Sequence, residues 1–460
     1  MLFSSNVFLF VYLPIVLLLY YVLPRPFKNP VLLIFSLVFY GWGEPVYLIL
    51  MVFTILMDYV FGVLIHDRQR KNKSAKAVLI IGIAANLLLL GFFKYTSFIV
   101  DQIKLIPLFS AIEVPEITLP IGISFYIFQS MSYIIDVYRN DAPFQKNPAT
   151  LGTYVTLFPQ LIAGPIVRYG DVAEQLEQRK ENLDDFSSGV SLFIIGLSKK
   201  VLLANPMGNL WNVLSVENGT LASWMGIAAY SLQIYFDFSG YSDMARGLGR
   251  MFGFEFLENF NYPYISKSIT EFWRRWHISL STWFKEYVYI PLGGNRKGLA
   301  RQIVNILIVW ALTGLWHGAS WNFVLWGVYY GILLIIEKAV LLKVLKKMPA
   351  FVCHVYSVLA VMLGWVLFYF EDTQALWKFI SKLFTPASTG HDTGAVMLAY
   401  LPILVISMFA ATPLMKRLIS KHKESPFIRY GTIIVCAVLL TLCVAALASQ
   451  SYNPFIYFRF

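Results

Sequence analysis

Two histidines in the second half of the chain stand where an ionisable side chain could do chemistry. His317 lies in the run Thr313-Gly-Leu-Trp-His-Gly-Ala-Ser320, between two glycines and within a long apolar segment. An ionisable side chain in such a segment indicates a functional site. A neutral imidazole could take the proton from an acceptor hydroxyl while that hydroxyl attacks an activated acyl group. We therefore expect His317 to be a general base; the alternative is a structural histidine bonded to a helix carbonyl.

His277 lies in a second unusual stretch, Asn261 to Arg301, where cations alternate with tryptophan and phenylalanine. This mixture is typical of a helix at the membrane interface, with tryptophan at headgroup depth and cations toward water. His277 and Ser281 have i,i+4 spacing, so both can face one groove. For His277, a catalytic role and a structural role are both compatible with the pattern.

Metal sites and covalent nucleophiles have little support in the sequence. His66 lies in a predicted loop and His354 in another apolar segment, so neither joins His317 in a metal site. No Gly-x-Ser-x-Gly elbow is present. The three cysteines lie in apolar runs without zinc or disulfide spacing. We expect no metal and no permanently bound cofactor.

The composition indicates which class of protein positions these histidines. Of the 460 residues, 58% are apolar, 14% charged and 17% aromatic, and the mean hydropathy is +0.63. These values exclude a soluble enzyme. Apolar runs recur along the chain, so we predict one all-α polytopic transmembrane bundle of roughly ten to twelve spans over residues 1–460. The net charge is +11, and the basic residues lie in short loops between apolar runs, as membrane orientation requires. Nucleic acid is therefore not an expected partner.

Three basic loops orient the predicted spans. They are Arg68 to Lys76, Lys338 to Lys347 and Lys416 to Lys423, and all should face the cytoplasm. The more acidic loop between the last two, and the tail at 451–460, should lie outside. The first apolar segment, Met1 to Pro24, lacks a basic start and a cleavage site, so we expect a retained helix and not a signal peptide.

The apolar segment Gln302 to Ile336 has basic residues at both ends, so both ends should be cytoplasmic. The chain must then reverse within the membrane, and the glycines around His317 are the natural breaking point. Non-helical backbone at this depth is tolerated only where it is buried in protein or lines a cavity. The sequence therefore predicts a re-entrant turn with His317 in it.

Four runs of residues carry a family resemblance. They are Gln233-Ile-Tyr-Phe-Asp-Phe-Ser-Gly-Tyr-Ser-Asp-Met-Ala245, Glu258-Asn-Phe-Asn-Tyr-Pro-Tyr-Ile-Ser-Lys267, Phe272-Trp-Arg-Arg-Trp-His-Ile-Ser-Leu-Ser281 and Gly314-Leu-Trp-His-Gly318. Together they resemble the membrane-bound O-acyltransferase family, with the core of the match at about 233–330. Pro291-Leu-Gly-Gly-Asn295 and Gly318-Ala-Ser-Trp-Asn322 are most similar to the bacterial branch typified by the alginate O-acetylase membrane subunit.

The resemblance implies re-entrant and interfacial helices around a central tunnel, which links a cytosolic acyl donor to an external funnel. By match to the family's motifs, His317 would be the catalytic histidine and His277 its partner position. Asp237 and Asp243 would form hydrogen bonds inside the bundle. Lys267, Arg274, Arg275 and Lys285 would lie on the side where the CoA phosphates arrive; the alternative is that these cations are interfacial anchors.

The resemblance also implies substrates and partners. The donor would be acetyl-CoA, and the acetyl group would pass across the bacterial cytoplasmic membrane to an exported polysaccharide. An external O-acetyltransferase of the hydrolase-like type often accompanies this branch and would be the protein partner. The polymer itself stays open, with alginate and peptidoglycan both compatible.

The chain end, Asn453-Pro-Phe-Ile-Tyr-Phe-Arg-Phe460, is similar to an acceptor motif of envelope-acylating members of the family. The similarity implies that Tyr457 accepts the acetyl group as a covalent relay. The alternative is an interfacial aromatic belt, with Arg459 reaching the headgroups.

The sequence is also compatible with other functions. D-alanyl or longer acyl transfer, for example to teichoic acid, would use another donor with the same histidine motifs. A transporter of a polymer precursor would be expected to show paired inverted halves, and only one broken helix is evident. An inactive scaffold is disfavoured because both histidines are present.

Overall fold

A computed structural model of the chain describes residues 1–114, 116–422, 425–449 and 454–456. All regular secondary structure in these ranges is helical, with no β-strand among them. The predicted all-α bundle is confirmed. The chain divides into two units, one of Met1–Phe193 with Ser242–Leu257 and the other of Ile194–Tyr241 with Glu258–Phe460. A single functional domain over 1–460 stays a prediction.

The first unit has an aromatic core. Phe3, Phe8, Phe39 and Phe158 form a ring cluster with centroids 5.0 to 6.4 Å apart. Tilted and edge-to-face rings at these separations stabilise a core beyond their buried area. The helices are Phe8–Tyr12, Leu13–Val22, Arg25–Gly41, Tyr47–Arg70, Lys76–Lys104, Pro107–Phe109, Ile123–Arg139, Pro148–Thr156, Phe158–Leu161, Tyr169–Gln178 and most of Leu183–Ser198.

The second unit carries both histidines. Its α-helices are Asn205–Leu214, Thr220–Met251 as far as Tyr241, Ile269–Arg275, Ile278–Phe284, Gly298–His317, Trp321–Ile336, Leu342–Leu345, Ala350–Tyr369, Thr373–Phe384, His391–Ala410, Leu414–Lys421 and Pro426–Ser449. A 3-10 turn covers Pro263–Ile265. Three π-helical turns, Lys199–Ala204, Lys285–Tyr289 and Glu337–Leu341, interrupt this pattern. Such turns are rare in proteins as a whole, and those that occur are often found at functional sites.

Seven of the described helices are long and apolar enough to cross a membrane. The chain is therefore a multi-pass membrane protein. The number is below the ten to twelve spans predicted, because several apolar segments are broken into helices that are short against the ~20 residues of a full span. Trp321–Ile336 has 16 residues, and Phe8–Val22 is also short.

The chain reverses at His317, as predicted. Gly298–His317 ends there, Gly318 is extended, and the second arm begins at Trp321. The arms touch through glycines. A Cβ added to Gly314 would lie 2.4 Å from the Phe323 carbonyl oxygen, and one on Gly327 would lie 2.4 Å from that of Trp310. The depth of this hairpin in the membrane stays a prediction.

Candidate functional site

One cavity in the second unit contains both predicted histidines. It has a volume of about 280 Å³ and is lined by the short helices on either side of His277 and by both arms of the hairpin. Ser281 lines the same cavity, as its spacing from His277 predicts. The apolar part of the wall is formed by Trp273, Leu280, Phe284, Ile306, Val309, Trp310 and Leu334. We call this space the histidine cavity.

His317 is the last residue of its helix and is buried. The rings of Trp316, Trp326 and Phe368 surround its imidazole, with centroids at 5.0, 5.0 and 5.3 Å. All three contacts are edge-to-face, a geometry that favours one orientation of the ring pair. The imidazole plane is therefore held by packing from both the hairpin and the Ala350–Tyr369 helix.

His277 has a left-handed backbone, with φ 45° and ψ 54°. Non-glycine residues adopt this conformation uncommonly. The interfacial helix expected here is consequently two short helices that meet at His277. Asn259 holds the junction, since its backbone carbonyl accepts the N–H of Ile278 at 3.0 Å and its side-chain oxygen accepts that of Ser279 at 3.1 Å.

The side-chain oxygen of Asn259 also determines the protonation of His277. It lies 3.2 Å from His277 Nδ1. Because this oxygen can only accept, Nδ1 carries the proton and Nε2 keeps its lone pair. Burial lowers the pKa of His277 to about 3. The ring is therefore neutral at physiological pH, as a general base or a hydrogen-bonding partner must be.

The charged groups lining the histidine cavity are cations. Arg274 and Lys285, two of the four cations named in the sequence analysis, line the cavity together with Lys338. Arg275 instead forms a salt bridge of 2.9 Å one turn back along its own helix, and Lys267 is exposed outside the lining. Within the described ranges, no group of three or more His, Cys, Asp or Glu residues could hold a metal ion. The cavity could thus attract an anionic ligand.

Glu337 fixes the helix that carries Arg274. Its carboxylate is fully buried and accepts the backbone N–H groups of Ile269 and Thr270 at 2.6 and 2.8 Å. A carboxylate at a helix N-terminus satisfies N–H groups that lack partners in the helix and interacts favourably with the helix dipole. Sequence reasoning missed both Glu337 and the role of Lys338. The available signal was a charged pair directly after the second arm of the hairpin.

A second cavity in the same unit has a volume of about 430 Å³. Three consecutive residues relate it to the histidine cavity. Phe368 packs against His317, and the next two residues, Tyr369 and Phe370, line the second cavity. Its other lining side chains are aromatic, amide and acidic: Asn205, Asn209, Trp211, Asn212, Tyr230, Gln233, Glu371 and Asp372. We call it the tail cavity, because the chain end contributes to it.

The chain end reaches the tail cavity through Pro454 and Ile456, which line it. The Ile456 N–H donates to the carboxylate of Asp237 at 2.7 Å. Asp237 therefore forms hydrogen bonds inside the bundle, as expected. Tyr457 lies outside the described residues, and its role as a relay stays a prediction.

Comparison with known proteins gives one family. The model of the MBOAT, membrane-bound O-acyltransferase family, matches residues 145–376. This range contains both histidines and every residue that lines the histidine cavity.

Named relatives extend the similarity beyond that range. Probable alginate O-acetylase of Azotobacter vinelandii is 41% identical over 100% of both chains. Peptidoglycan O-acetyltransferase of Helicobacter pylori is 36% identical over 83% of this chain and 80% of its own. Teichoic acid D-alanyltransferase of Bacillus subtilis is 28% identical over 46% of this chain and 58% of its own. Similarity to the two O-acetyltransferases thus covers much more of the chain.

Proposed function

The chain belongs to the membrane-bound O-acyltransferase family, and we propose that it moves acetyl groups from cytosolic acetyl-CoA to an exported polysaccharide of the cell envelope. By family it is an O-acyltransferase. The acetyl donor, the catalytic base and the acceptor are the proposed part. The observation that carries the proposal is the histidine cavity, where two buried histidines and three cations meet.

Two properties of this cavity support acetyl-CoA as the donor. Arg274, Lys285 and Lys338 supply positive charge for the phosphates of CoA. The volume of about 280 Å³ is near the lower limit for small-molecule sites. A short acyl thioester suits this space better than a long acyl chain.

His317 acts as general base in the proposed reaction. The Tyr457 hydroxyl oxygen attacks the thioester carbonyl carbon, and its proton passes to the His317 imidazole. The carbon–sulfur bond then breaks, and the leaving thiolate takes that proton to become CoA thiol. The product is an acetyl ester of tyrosine. A sugar hydroxyl later attacks the ester, and the tyrosine oxygen regains a proton.

The tail cavity supports a role for the chain end in this transfer. Its lining is linked to His317 through Phe368, and the residues directly before Tyr457 contribute to it. His277, which lines the same cavity as His317, positions the reacting groups in this proposal.

The relatives' names and the loop charges support the acceptor and the setting. Those names are alginate O-acetylase and peptidoglycan O-acetyltransferase, which supports an envelope polysaccharide as the acceptor. The basic loops support an orientation in the bacterial cytoplasmic membrane with the C-terminus outside. An external hydrolase-like O-acetyltransferase would catalyse the attack of the sugar hydroxyl on the Tyr457 ester. D-alanyl transfer is the second candidate, and the shorter match to that relative disfavours it.

Acetyl transfer by the purified protein in lipid nanodiscs tests this function. With labelled acetyl-CoA, the wild type should release CoA thiol, and His317→Ala should lower that rate at least ~100-fold, the usual contribution of a general base. His391→Ala is the matched control because that side chain is fully exposed. Unchanged CoA release in His317→Ala would contradict the role of His317 as general base. No release by the wild type would contradict acetyl-CoA as the donor.

A further inference from the structure

We infer that the buried ion pair of Lys200 and Asp237 is a binding site for the carboxyl-terminal peptide of this chain, and that it positions Tyr457 for acetylation. The second half of this statement rests on the proposed relay. Docking of the peptide at the ion pair does not depend on the relay and is measured separately.

The ion pair is almost completely buried. Lys200 Nζ lies 2.5 Å from Asp237 Oδ1, and the two side chains are 3% and 2% exposed. Charges this far from water are tolerated only where further hydrogen bonds satisfy their remaining donors and acceptors. The identity of those further partners therefore indicates what the pair is for.

The chain end supplies these partners. Lys200 Nζ donates to the carbonyl oxygen of Pro454 at 3.1 Å, and the N–H of Ile456 donates to Asp237 Oδ2 at 2.7 Å. Each member of the pair thus binds one backbone group of the peptide. Two opposite charges that bind a carbonyl and an N–H two residues apart fix the register of the tail backbone against the ion pair.

The residue between these contacts is an aromatic anchor. Phe455 is 1% exposed. The Lys200 ammonium lies over its ring, 4.7 Å from the centroid, and the ring of Tyr241 meets it edge-to-face at 5.0 Å. Cation–π attraction strengthens when the cation is shielded from water. A single buried ring of this kind is typical of the residue that dominates a peptide interface.

The docking site adjoins the catalytic centre along one helix. Asp237 binds the tail, and the next residue, Phe238, packs against His277 with ring centroids 4.6 Å apart. Lys200 lies in the π-helical turn Lys199–Ala204, the kind of irregularity that is frequent at functional sites. Ile456 is the residue directly before Tyr457 in the sequence.

Hydrogen exchange of the full-length protein in nanodiscs tests the docking. Phe455→Ala leaves the ion pair intact and removes the anchor, so exchange of the Ile456 amide, which donates to Asp237 in the wild type, should accelerate at least tenfold. Lys200→Met/Asp237→Leu should do the same, and it leaves no unpaired buried charge behind. Lys416→Met is the matched control, because Lys416 pairs with a different carboxylate, that of Glu258, at 3.3 Å. Exchange unchanged from the wild type in Phe455→Ala would overturn the docking site.

Acetyl labelling tests the positioning role in the same variants. We expect Tyr457 labelling from acetyl-CoA, and the CoA release coupled to it, to fall at least tenfold in Phe455→Ala and to stay at the wild-type level in Lys416→Met. Fast amide exchange with undiminished labelling would overturn positioning while leaving docking. If wild-type Tyr457 is never labelled, the relay fails, and the positioning role fails with it. The amide exchange then still decides the docking site by itself.

Discussion

The imidazole of His317 and the ring of Phe368 meet edge-to-face, with centroids 5.3 Å apart. The two residues after Phe368 line the tail cavity, so one side chain connects the proposed base with the cavity that the chain end enters. A contact of this kind contributes ~0.5–1.5 kcal/mol beyond burial and restrains the orientation of the imidazole.

Phe368→Leu should therefore lower kcat and leave KM for acetyl-CoA unchanged. Loss of the ring contact corresponds to a decrease of roughly 3- to 10-fold in rate. Phe379→Leu, at a buried ring that does not touch His317, should keep the wild-type kcat. Steady-state release of CoA thiol measures both constants. An increase in KM with constant kcat would show that Phe368 acts on donor binding.

His277→Asn should keep the fold and change its response to acid. Asparagine adopts left-handed backbone more readily than most residues, and its amide can donate to Asn259. The imidazole has a pKa of about 3 in the folded chain and ~6.5 when unfolded. The unfolded chain therefore binds the proton first, and wild-type stability decreases as the pH falls from about 6.5 toward 3, by up to ~1.4 kcal/mol per pH unit.

Thermal unfolding at pH 7.5 and pH 5 measures this difference. The wild type should lose stability at the lower pH, and His277→Asn should lose less. His391→Asn, at an exposed position, should behave as the wild type does. Equal losses in the wild type and in His277→Asn would mean that His277 is not held neutral by burial.

Gly314→Ala should destabilise the hairpin, because the added Cβ would lie 2.4 Å from a backbone oxygen of the second arm. Overpacking of this kind costs ~1–3 kcal/mol, and a shift of the arms would also move His317. Gly331→Ala is the matched control, because its Cβ would meet the nearest atom at 3.4 Å. It should be neutral or slightly stabilising, since alanine favours helix over glycine. Equal unfolding temperatures for the two variants would contradict the close approach.

Arg274→Ala and Lys338→Ala should each raise KM for acetyl-CoA by roughly 3- to 10-fold. Each substitution removes a positive charge from the proposed site of the CoA phosphates. Added salt should raise the wild-type KM in the same direction. Lys267→Ala, outside the cavity lining, should have no such effect. If Lys267→Ala raised KM as much as the other two substitutions do, attraction of acetyl-CoA would be a general property of the basic surface and not of the cavity.

The sequence predicts the reversal at His317 because its signals are local: glycines at the turn and basic residues at both ends of the segment. The break at His277 is different. Its left-handed backbone depends on Asn259, which is distant along the chain, while the neighbouring tryptophans and cations read as one continuous interfacial helix. Periodicity within a segment does not report a hydrogen bond supplied from outside it.

The partners of the charged residues show the same limit. Asp237 is recognisable as a hydrogen-bonding residue in its motif, but its pairing with Lys200 depends on how two helices pack. Glu337 and Lys338 look like the start of a basic loop, although Glu337 caps the helix of Arg274 and Lys338 enters the cavity. The sequence predicts that His277 and Ser281 share a groove, and it does not predict which side chains hold the site in place.

In the proposed reaction, Tyr457 takes the acetyl group from acetyl-CoA while His317 accepts its proton. Peptide mapping by mass spectrometry, after incubation of the nanodisc protein with isotopically labelled acetyl-CoA, measures this transfer. We expect label on Tyr457 in the wild type, and none in His317→Ala or Tyr457→Phe, with equal protein levels. CoA release without any label on the protein, or label on Tyr457 that persists in His317→Ala, would contradict it.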